Sequence, residues 1–141
     1  MHEASPKDVH DALQREKDAV LVDVRSVPEF EAGHPKGSLN IPIMLGSPGM
    51  FQPNPDFLAV CEKVLPKDKP IYMSCRSGQR SAKACMILEQ NGWKTTTNVL
   101  AGWDGARNFF GQVVEPGWRD CGLPADSGAP AGLTWDALRT K

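Results

Sequence analysis

The sequence predicts an α/β domain with a mostly parallel central sheet flanked by helices. Three observations carry that expectation. Residues 19–24 and 70–74 are near-continuous apolar runs rather than alternating ones, which suits parallel strands buried on both faces. Strand-like segments then alternate with segments of helical periodicity along the chain. Finally, 13 Gly and 12 Pro fall in 141 residues, too few for a low-complexity chain but enough to mark many sharp turns. A chain of this length reads as one domain, and it can bury a core without disulfide or metal staples.

The elements follow in order. Ser5-Pro6-Lys7-Asp8 is a helix start, with Ser5 as N-cap, Pro6 in the first helical position and an acidic residue in the first turn. Val9, Ala12 and Leu13 share one face, so residues 6–16 form a short amphipathic helix. The strand over 19–24 leads to Ser26-Val27-Pro28-Glu29, whose capping-box spacing opens a short helix ending near Gly33. Residues 37–42 read as a strand stopped by Pro42, and 43–53 as a long irregular loop. Asn54-Pro55-Asp56 repeats the cap-plus-proline signature before the helical stripe Phe57, Leu58, Cys61, Val64 and Leu65. The second buried strand, 70–74, is followed by a helix over 81–91 with Gly92 at its C′ position. Residues 95–100 are rich in β-branched side chains and form a third strand, and 102–110 read as a helix. The domain spans residues 5–125. Residues 126–141 read as a C-terminal tail, flexible over 126–132, and for Trp135 and Leu138 the sequence leaves docking open.

Charge and cysteine usage exclude several classes. The formal net charge of −1 offers no basic footprint for nucleic acid and no polybasic anchor for a membrane surface. No apolar stretch approaches the roughly 20 residues of a membrane span. The opening Met1-His2-Glu3-Ala4-Ser5-Pro6 lacks the basic and apolar regions of a signal peptide, so the expectation is a cytoplasmic protein with free thiols. Cys61, Cys75, Cys85 and Cys121 show no CxxC spacing, and His2, His10 and His34 are not grouped with them, so no metal site is expected. Cys61 and Cys85 lie on helical apolar stripes and read as core residues. Cys121 lies in a turn-rich segment.

Cys75 differs from the other three. It directly follows a buried strand, and six polar or Gly residues separate it from the next helix interior. Ligands of open α/β sheets bind beyond such carboxyl ends. In Cys75-Arg76-Ser77-Gly78-Gln79-Arg80-Ser81 a Gly-containing loop can aim successive backbone N–H groups at one point, and the following helix N-terminus adds more. Arg76 and Arg80 add two positive charges. These groups favour an anion and lower the pKa of a thiol placed among them, which makes Cys75 a candidate nucleophile.

That loop resembles the active-site loop of single-domain rhodaneses, the thiosulfate sulfurtransferases. The resemblance extends to Leu21-Val22-Asp23-Val24-Arg25 with Glu29-Phe30, to residues 33–42, to Leu100-Ala101-Gly102-Trp103, and to Trp118 with Gly122-Leu123-Pro124. It implies a rhodanese-like three-layer fold. It also implies that Cys75 takes a sulfane sulfur from thiosulfate or a persulfide donor and passes it to a thiophilic acceptor. That acceptor is cyanide or a cellular thiol, such as a thiol protein or glutathione. By the same resemblance Arg76, Ser77, Gly78, Gln79 and Arg80 bind substrate. Arg76 faces the mouth, and Arg80 chiefly supports the loop. Asp23 and Arg25 brace the fold near the site, Trp103 and Trp118 pack, and His34 is structural. No cofactor is required, and the chain is expected as a monomer or weak homodimer.

Two other readings compete. Related phosphatases and arsenate reductases use a Cys-x5-Arg loop, whereas the spacing here is Cys-x4-Arg, a tighter ring better suited to one sulfur than to a tetrahedral phosphate. The other rival is a sulfur-relay or partner-binding module with little activity on free thiosulfate. Residues 44–53 and 109–116, the latter with Phe109, Phe110, Val113 and Val114, are read as packed on the core, with a partner surface as the alternative.

Overall fold

The computed structural model describes residues 1–141. In chain order the elements are β1 (His2–Ala4), α1 (Pro6–Arg15), β2 (Val20–Asp23), α2 (Val27–Ala32), β3 (His34–Pro35), β4 (Leu39–Asn40), β5 (Met44–Leu45) and β6 (Gln52–Pro53). They continue with α3 (Phe57–Val64), β7 (Ile71–Ser74), α4 (Gln79–Gln90), β8 (Thr96–Val99), β9 (Ala106–Arg107), β10 (Val113–Glu115), β11 (Ala125–Asp126) and α5 (Trp135–Arg139). The central sheet has the order β1-β8-β7-β2-β4, and every pairing in it is parallel.

Three layers follow from the strand alternation. Val22, Ile71 and Met73 point into a large apolar cluster with Phe57, Val60 and Cys61 of α3, Ala84, Cys85 and Leu88 of α4, and Trp135 and Leu138 of α5. Leu21, Tyr72 and Val99 point the other way, onto Val9 and Ala12 of α1, with Trp103 and Trp118 alongside. The expected α/β architecture with a mostly parallel sheet is the one observed.

Local signals set several boundaries. Ser5 Oγ accepts from the Asp8 N–H at 3.2 Å and starts α1. Ser26 N–H donates to Glu29 Oε1 at 3.1 Å, closing the capping box of α2. Gly92, just past α4, has φ +101°.

Elsewhere the structure corrects the sequence reading. Residues 102–110 are not helical. Ala101, Gly102 and Gly105 have φ of +70°, +49° and +103°, and left-handed residues so close together cannot propagate a right-handed helix. The chain instead forms the β9–β10 hairpin. Phe109 and Phe110 at its tip are 98% and 83% exposed, and Val113 and Val114 are exposed too, so this stretch does not pack on the core. Within 43–53, β5 and β6 pair antiparallel.

Asn54 does not cap α3, which begins at Phe57. Its Oδ1 accepts from Asp56 N–H at 3.0 Å, and its Nδ2 donates to the Pro42 carbonyl at 2.8 Å. β1 was not anticipated, because its three residues carry no apolar pattern; the pairing with β8 alone defines it. Nor do residues 126–141 trail away. β11 pairs with β3, Gly128 N–H donates to the Glu31 carbonyl at 2.8 Å, and Trp135 and Leu138 are buried. Thr134 Oγ1 accepts from Ala137 N–H at 3.1 Å and so starts the helix that carries both.

Candidate active site

β7 delivers Cys75 at its carboxyl end, between β2 and β8, and the chain turns at once into α4. Gly78 makes that turn possible. Its φ is +106°, a left-handed conformation in which any side chain would be strained. The turn aims the Gly78 N–H at Cys75 Sγ, 3.1 Å away. Ser81 Oγ, in the first turn of the helix, lies 3.2 Å from the same sulfur. From β8, Asn98 Nδ2 donates to the Gly78 carbonyl at 3.0 Å. The segment after β8 supports the loop from below, with Trp103 N–H donating to the Cys75 carbonyl at 2.8 Å and Asp104 N–H to the Arg76 carbonyl at 2.9 Å.

Cys75 is only 1% exposed and sits at the floor of a cavity of about 430 Å³. Arg76, Ser77, Gln79 and Arg80 line one side, Lys83 stands one turn further along α4, and Ile43, Met44 and Phe51 form an apolar wall. A larger cavity of about 590 Å³ lies beside α1, walled by residues such as His10, Leu13 and Trp118, and contains no cysteine.

The two loop arginines are held differently. Arg80 Nη1 and Nη2 donate to the two Glu29 carboxylate oxygens at 2.7 and 3.0 Å, and its guanidinium lies 5.2 Å from the centre of the Phe51 ring. Burial works against the Glu29 charge, but the hydrogen bond and charge of Arg80, helped by Ser26, outweigh it and hold the carboxyl at about 2. Burial likewise opposes the Arg80 charge, and the Glu29 carboxylate overcomes it, so the Arg80 pKa is raised. Arg76 is 60% exposed and donates through Nε to Asp104 Oδ2 at 2.9 Å. Asp104 also receives Arg119 at 3.1 Å.

The Arg80–Glu29 pair makes a pH prediction. Glu29 is depressed from an ordinary 4.5 to about 2, so its stabilising effect is complete above about 4.5 and is lost as pH falls toward 2. Glu29→Gln is therefore expected to lower the melting temperature at pH 6, and the gap from wild type should close progressively between pH 4.5 and pH 2. A gap independent of pH over that window would refute the assignment.

Asp23 and Arg25 lie beside this arrangement, outside the hydrogen-bond partners of Sγ. Arg25 Nη2 donates to Asp23 Oδ2 at 2.7 Å and to the Gly33 carbonyl at 2.5 Å, and both side chains are buried. Asn40 Nδ2 reaches the Asp23 and Arg25 carbonyls at 3.1 and 3.0 Å, tying β4 to β2. His34 is buried against Phe30, with ring centroids 3.6 Å apart and Nδ1 2.6 Å from the Phe30 carbonyl. Trp118 donates through Nε1 to the Pro124 carbonyl at 2.7 Å.

The other thiols stand apart. Burial pushes the Cys61 and Cys85 thiols up to about 12, which leaves them inert. Cys121 is exposed, outside the cavity. Sequence reasoning missed Glu29 as the Arg80 partner, Lys83, Phe51, Asn98 and the contact of Ser81 with the sulfur. Ser81 was visible only as the end of the loop motif, and Lys83 left a signal because it follows Arg80 by three residues on one helical face. No group of three or more His, Cys, Asp or Glu residues is arranged to hold a metal ion, and no helix is long and apolar enough to cross a membrane.

Comparison with known proteins matches residues 5–108 to the Rhodanese-like domain family. Among curated relatives, "Protein HIGH ARSENIC CONTENT 1, mitochondrial" of Arabidopsis thaliana is 30% identical over 105 residues, which are 74% of this chain and 55% of that protein. "Thiosulfate sulfurtransferase 16, chloroplastic" of the same plant is 36% identical over 104 residues, 73% of this chain and 76% of that one. The chain thus spans little more than half of the first relative and three quarters of the second. The crystal structure of Rv0390 from M. tuberculosis superposes with a TM-score of 0.77 at 30% identity, covering 91% of this chain and 98% of that one. The family match includes Asp23, Arg25 and the whole of the loop from Cys75 to Ser81.

Proposed function

The chain belongs to the rhodanese-like domain family, and from that premise we propose that it is a sulfurtransferase whose Cys75 carries the transferred sulfur as a persulfide. One observation carries the reading: Cys75 Sγ lies 3.1 Å from a backbone N–H at the floor of a cavity lined by Arg76, Arg80 and Lys83. Such a cradle favours an anionic sulfur and draws in an anionic donor.

The chemistry balances in two steps. The Cys75 thiolate attacks the outer sulfur of thiosulfate, a sulfur–sulfur bond forms to Sγ, and sulfite leaves with the electron pair of the old bond. An acceptor such as cyanide or a thiolate then attacks the terminal sulfur, and the Cys75 thiolate departs. Arg76 is the residue for the sulfonate end, because its exposed pair with Asp104 can be exchanged for an incoming anion. Arg80 is committed to Glu29 and Phe51. An arginine so engaged is poorly placed to grip a phosphate, which weighs against ester hydrolysis or arsenate reduction.

A second reading, transfer from a protein persulfide, has one observation in its favour. The hairpin bearing exposed Phe109 and Phe110 adjoins a crevice of about 250 Å³ lined by Arg76, Ser77 and Gln79 on one side and Gly105, Ala106 and Arg107 on the other. An apolar tip beside the site mouth suits a protein donor.

Mass spectrometry tests the first reading. Thiosulfate is expected to add about 32 Da, one sulfur, to the peptide containing Cys75, and an adduct confined to another cysteine would refute it. The second reading expects Phe109→Ser with Phe110→Ser to slow transfer from a persulfidated protein while leaving thiosulfate turnover unchanged.

A further inference from the structure

Behind Cys75 lies a buried hydrogen-bond ring that falls one hydrogen short when the sulfur is ionised. Ser81 Oγ is 3.2 Å from Cys75 Sγ and 2.5 Å from Asn98 Oδ1. Asn98 Nδ2 donates to the Gly78 carbonyl at 3.0 Å, and Gly78 N–H returns to Sγ at 3.1 Å. Cys75, Ser81 and Asn98 are all buried, so solvent does not complete the ring from behind. The Gly78 carbonyl only accepts, so it fixes the Asn98 amide with Nδ2 toward the loop and Oδ1 toward Ser81. A serine hydroxyl carries one hydrogen, and here it faces two acceptors whenever the sulfur is ionised.

We propose that Ser81 is a two-position switch: its hydroxyl hydrogen rests on Asn98 Oδ1 while Cys75 is a thiol and turns to Sγ when Cys75 is a thiolate. In the thiol state the S–H donates to Ser81 Oγ, and the ring runs in one direction from Cys75 through Ser81, Asn98 and Gly78 back to the sulfur. On ionisation the S–H bond breaks, its proton leaves to solvent, and the electron pair stays on Sγ. Ser81 Oγ would then present a lone pair to an anion, so its hydrogen rotates onto the sulfur and the Asn98 oxygen loses its donor. Asn98 therefore competes with the thiolate for one hydrogen and acts on Cys75 as a positioning residue through Ser81.

The charged groups around the sulfur are separate from this ring. They are Asp23 at the end of β2 and Arg25 just after it, Glu29 of α2, Arg76 of the loop, Arg80 and Lys83 of α4, and Asp104 after β8; Cys85 of α4 is another buried thiol close enough to feel a charge on Cys75. Substitution at Ser81 or Asn98 leaves all of them in place. The proposal rests on Cys75 being the reactive thiol, as in the reading above.

The test is the pH profile of Cys75 alkylation by iodoacetamide, read by mass on its peptide, in wild type, Ser81→Ala, Asn98→Ala and the double variant. Ser81→Ala is expected to raise the alkylation midpoint by about one unit, roughly a tenfold rate loss on the rising limb, because a hydrogen bond to the charged sulfur is gone. Asn98→Ala is expected to lower the midpoint, since the competing acceptor has been removed. In the double variant the Asn98 effect vanishes.

An unchanged midpoint in Ser81→Ala overturns the proposal. So does an Asn98→Ala shift that persists without Ser81, because Asn98 would then act through Gly78. If a variant does not fold, the unmodified protein supplies the answer. Its Asn98 side-chain amide NMR signals should move with the alkylation midpoint, and stationary signals overturn the switch. Alkylation is independent of sulfur transfer, so a Cys75 that gains no sulfur from thiosulfate refutes the sulfurtransferase reading alone.

Discussion

Cys75→Ser is expected to abolish transfer of sulfur from thiosulfate to cyanide, a loss of at least about a thousandfold. The hydroxyl is close in shape to the thiol, so the cavity and the ion pairs around it persist. What disappears is the nucleophile: an alkoxide is unavailable near neutral pH, and oxygen cannot form the sulfur–sulfur bond that stores the intermediate. Cys61→Ser and Cys85→Ser form the contrast. Both thiols are buried in the large apolar cluster, and burial holds each at about 12. Their loss should cost stability, about 1–3 kcal/mol for a buried polar group without a designed partner, and leave the chemistry intact. A colorimetric thiocyanate assay beside thermal melts separates the two outcomes. Full turnover in Cys75→Ser would refute the assignment.

Gly102→Ala is expected to be the most damaging substitution away from Cys75. Gly102 has φ +49°, and a Cβ placed there would collide with the Cys75 carbonyl oxygen and lie 2.9 Å from the Arg76 carbonyl carbon. Both are backbone atoms, so no side chain can swing aside. The loop must lift, and lifting it breaks the Trp103 N–H bond to the Cys75 carbonyl. Strain and overpacking together should cost about 3 kcal/mol. A displacement near 1 Å at Cys75 should lower transfer by about a hundredfold. Gly49→Ala is the control, because Gly49 also has positive φ (+85°) but nothing lies within 4 Å of its added Cβ. It should lose only about 1 kcal/mol and keep its activity. Equal behaviour of the two variants would refute the close-approach argument.

The Gly102 case also marks how far the sequence could be read. The strands over 20–23 and 71–74, the caps at Ser5 and Ser26 and the position of Cys75 were legible because each rests on local pattern: apolar runs, capping residues, and a polar loop after a strand. Gly102–Trp103 was visible as a motif, but its proximity to the Cys75 backbone is a tertiary fact. Residues 102–110 misled for a related reason, since their propensities say helix while Ala101, Gly102 and Gly105 adopt left-handed conformations.

Long-range pairing hid the remaining features. β1 is a strand only because β8 lies beside it. Glu29 meets Arg80, and Asn98 meets Ser81, only after the sheet has brought their elements together. The exposure of Phe109 and Phe110 was likewise unreadable, because an apolar residue in a turn-rich segment has no periodicity to say which way it faces.

The all-parallel sheet has a kinetic consequence. No two neighbouring strands in it are joined by a hairpin: His2 pairs with Thr97, and Val20 with Ile71. Such pairings require long loops to close before any contact rewards them, which places the domain among slow, nonlocal folders. Cys75 cannot acquire its surroundings piecemeal, because Gly78 and Ser81 follow it in sequence while Asn98 and Gly102 arrive with β8. The surroundings of Cys75 are therefore complete only once β7 and β8 have paired, and a partly folded chain would carry the cysteine without its cradle.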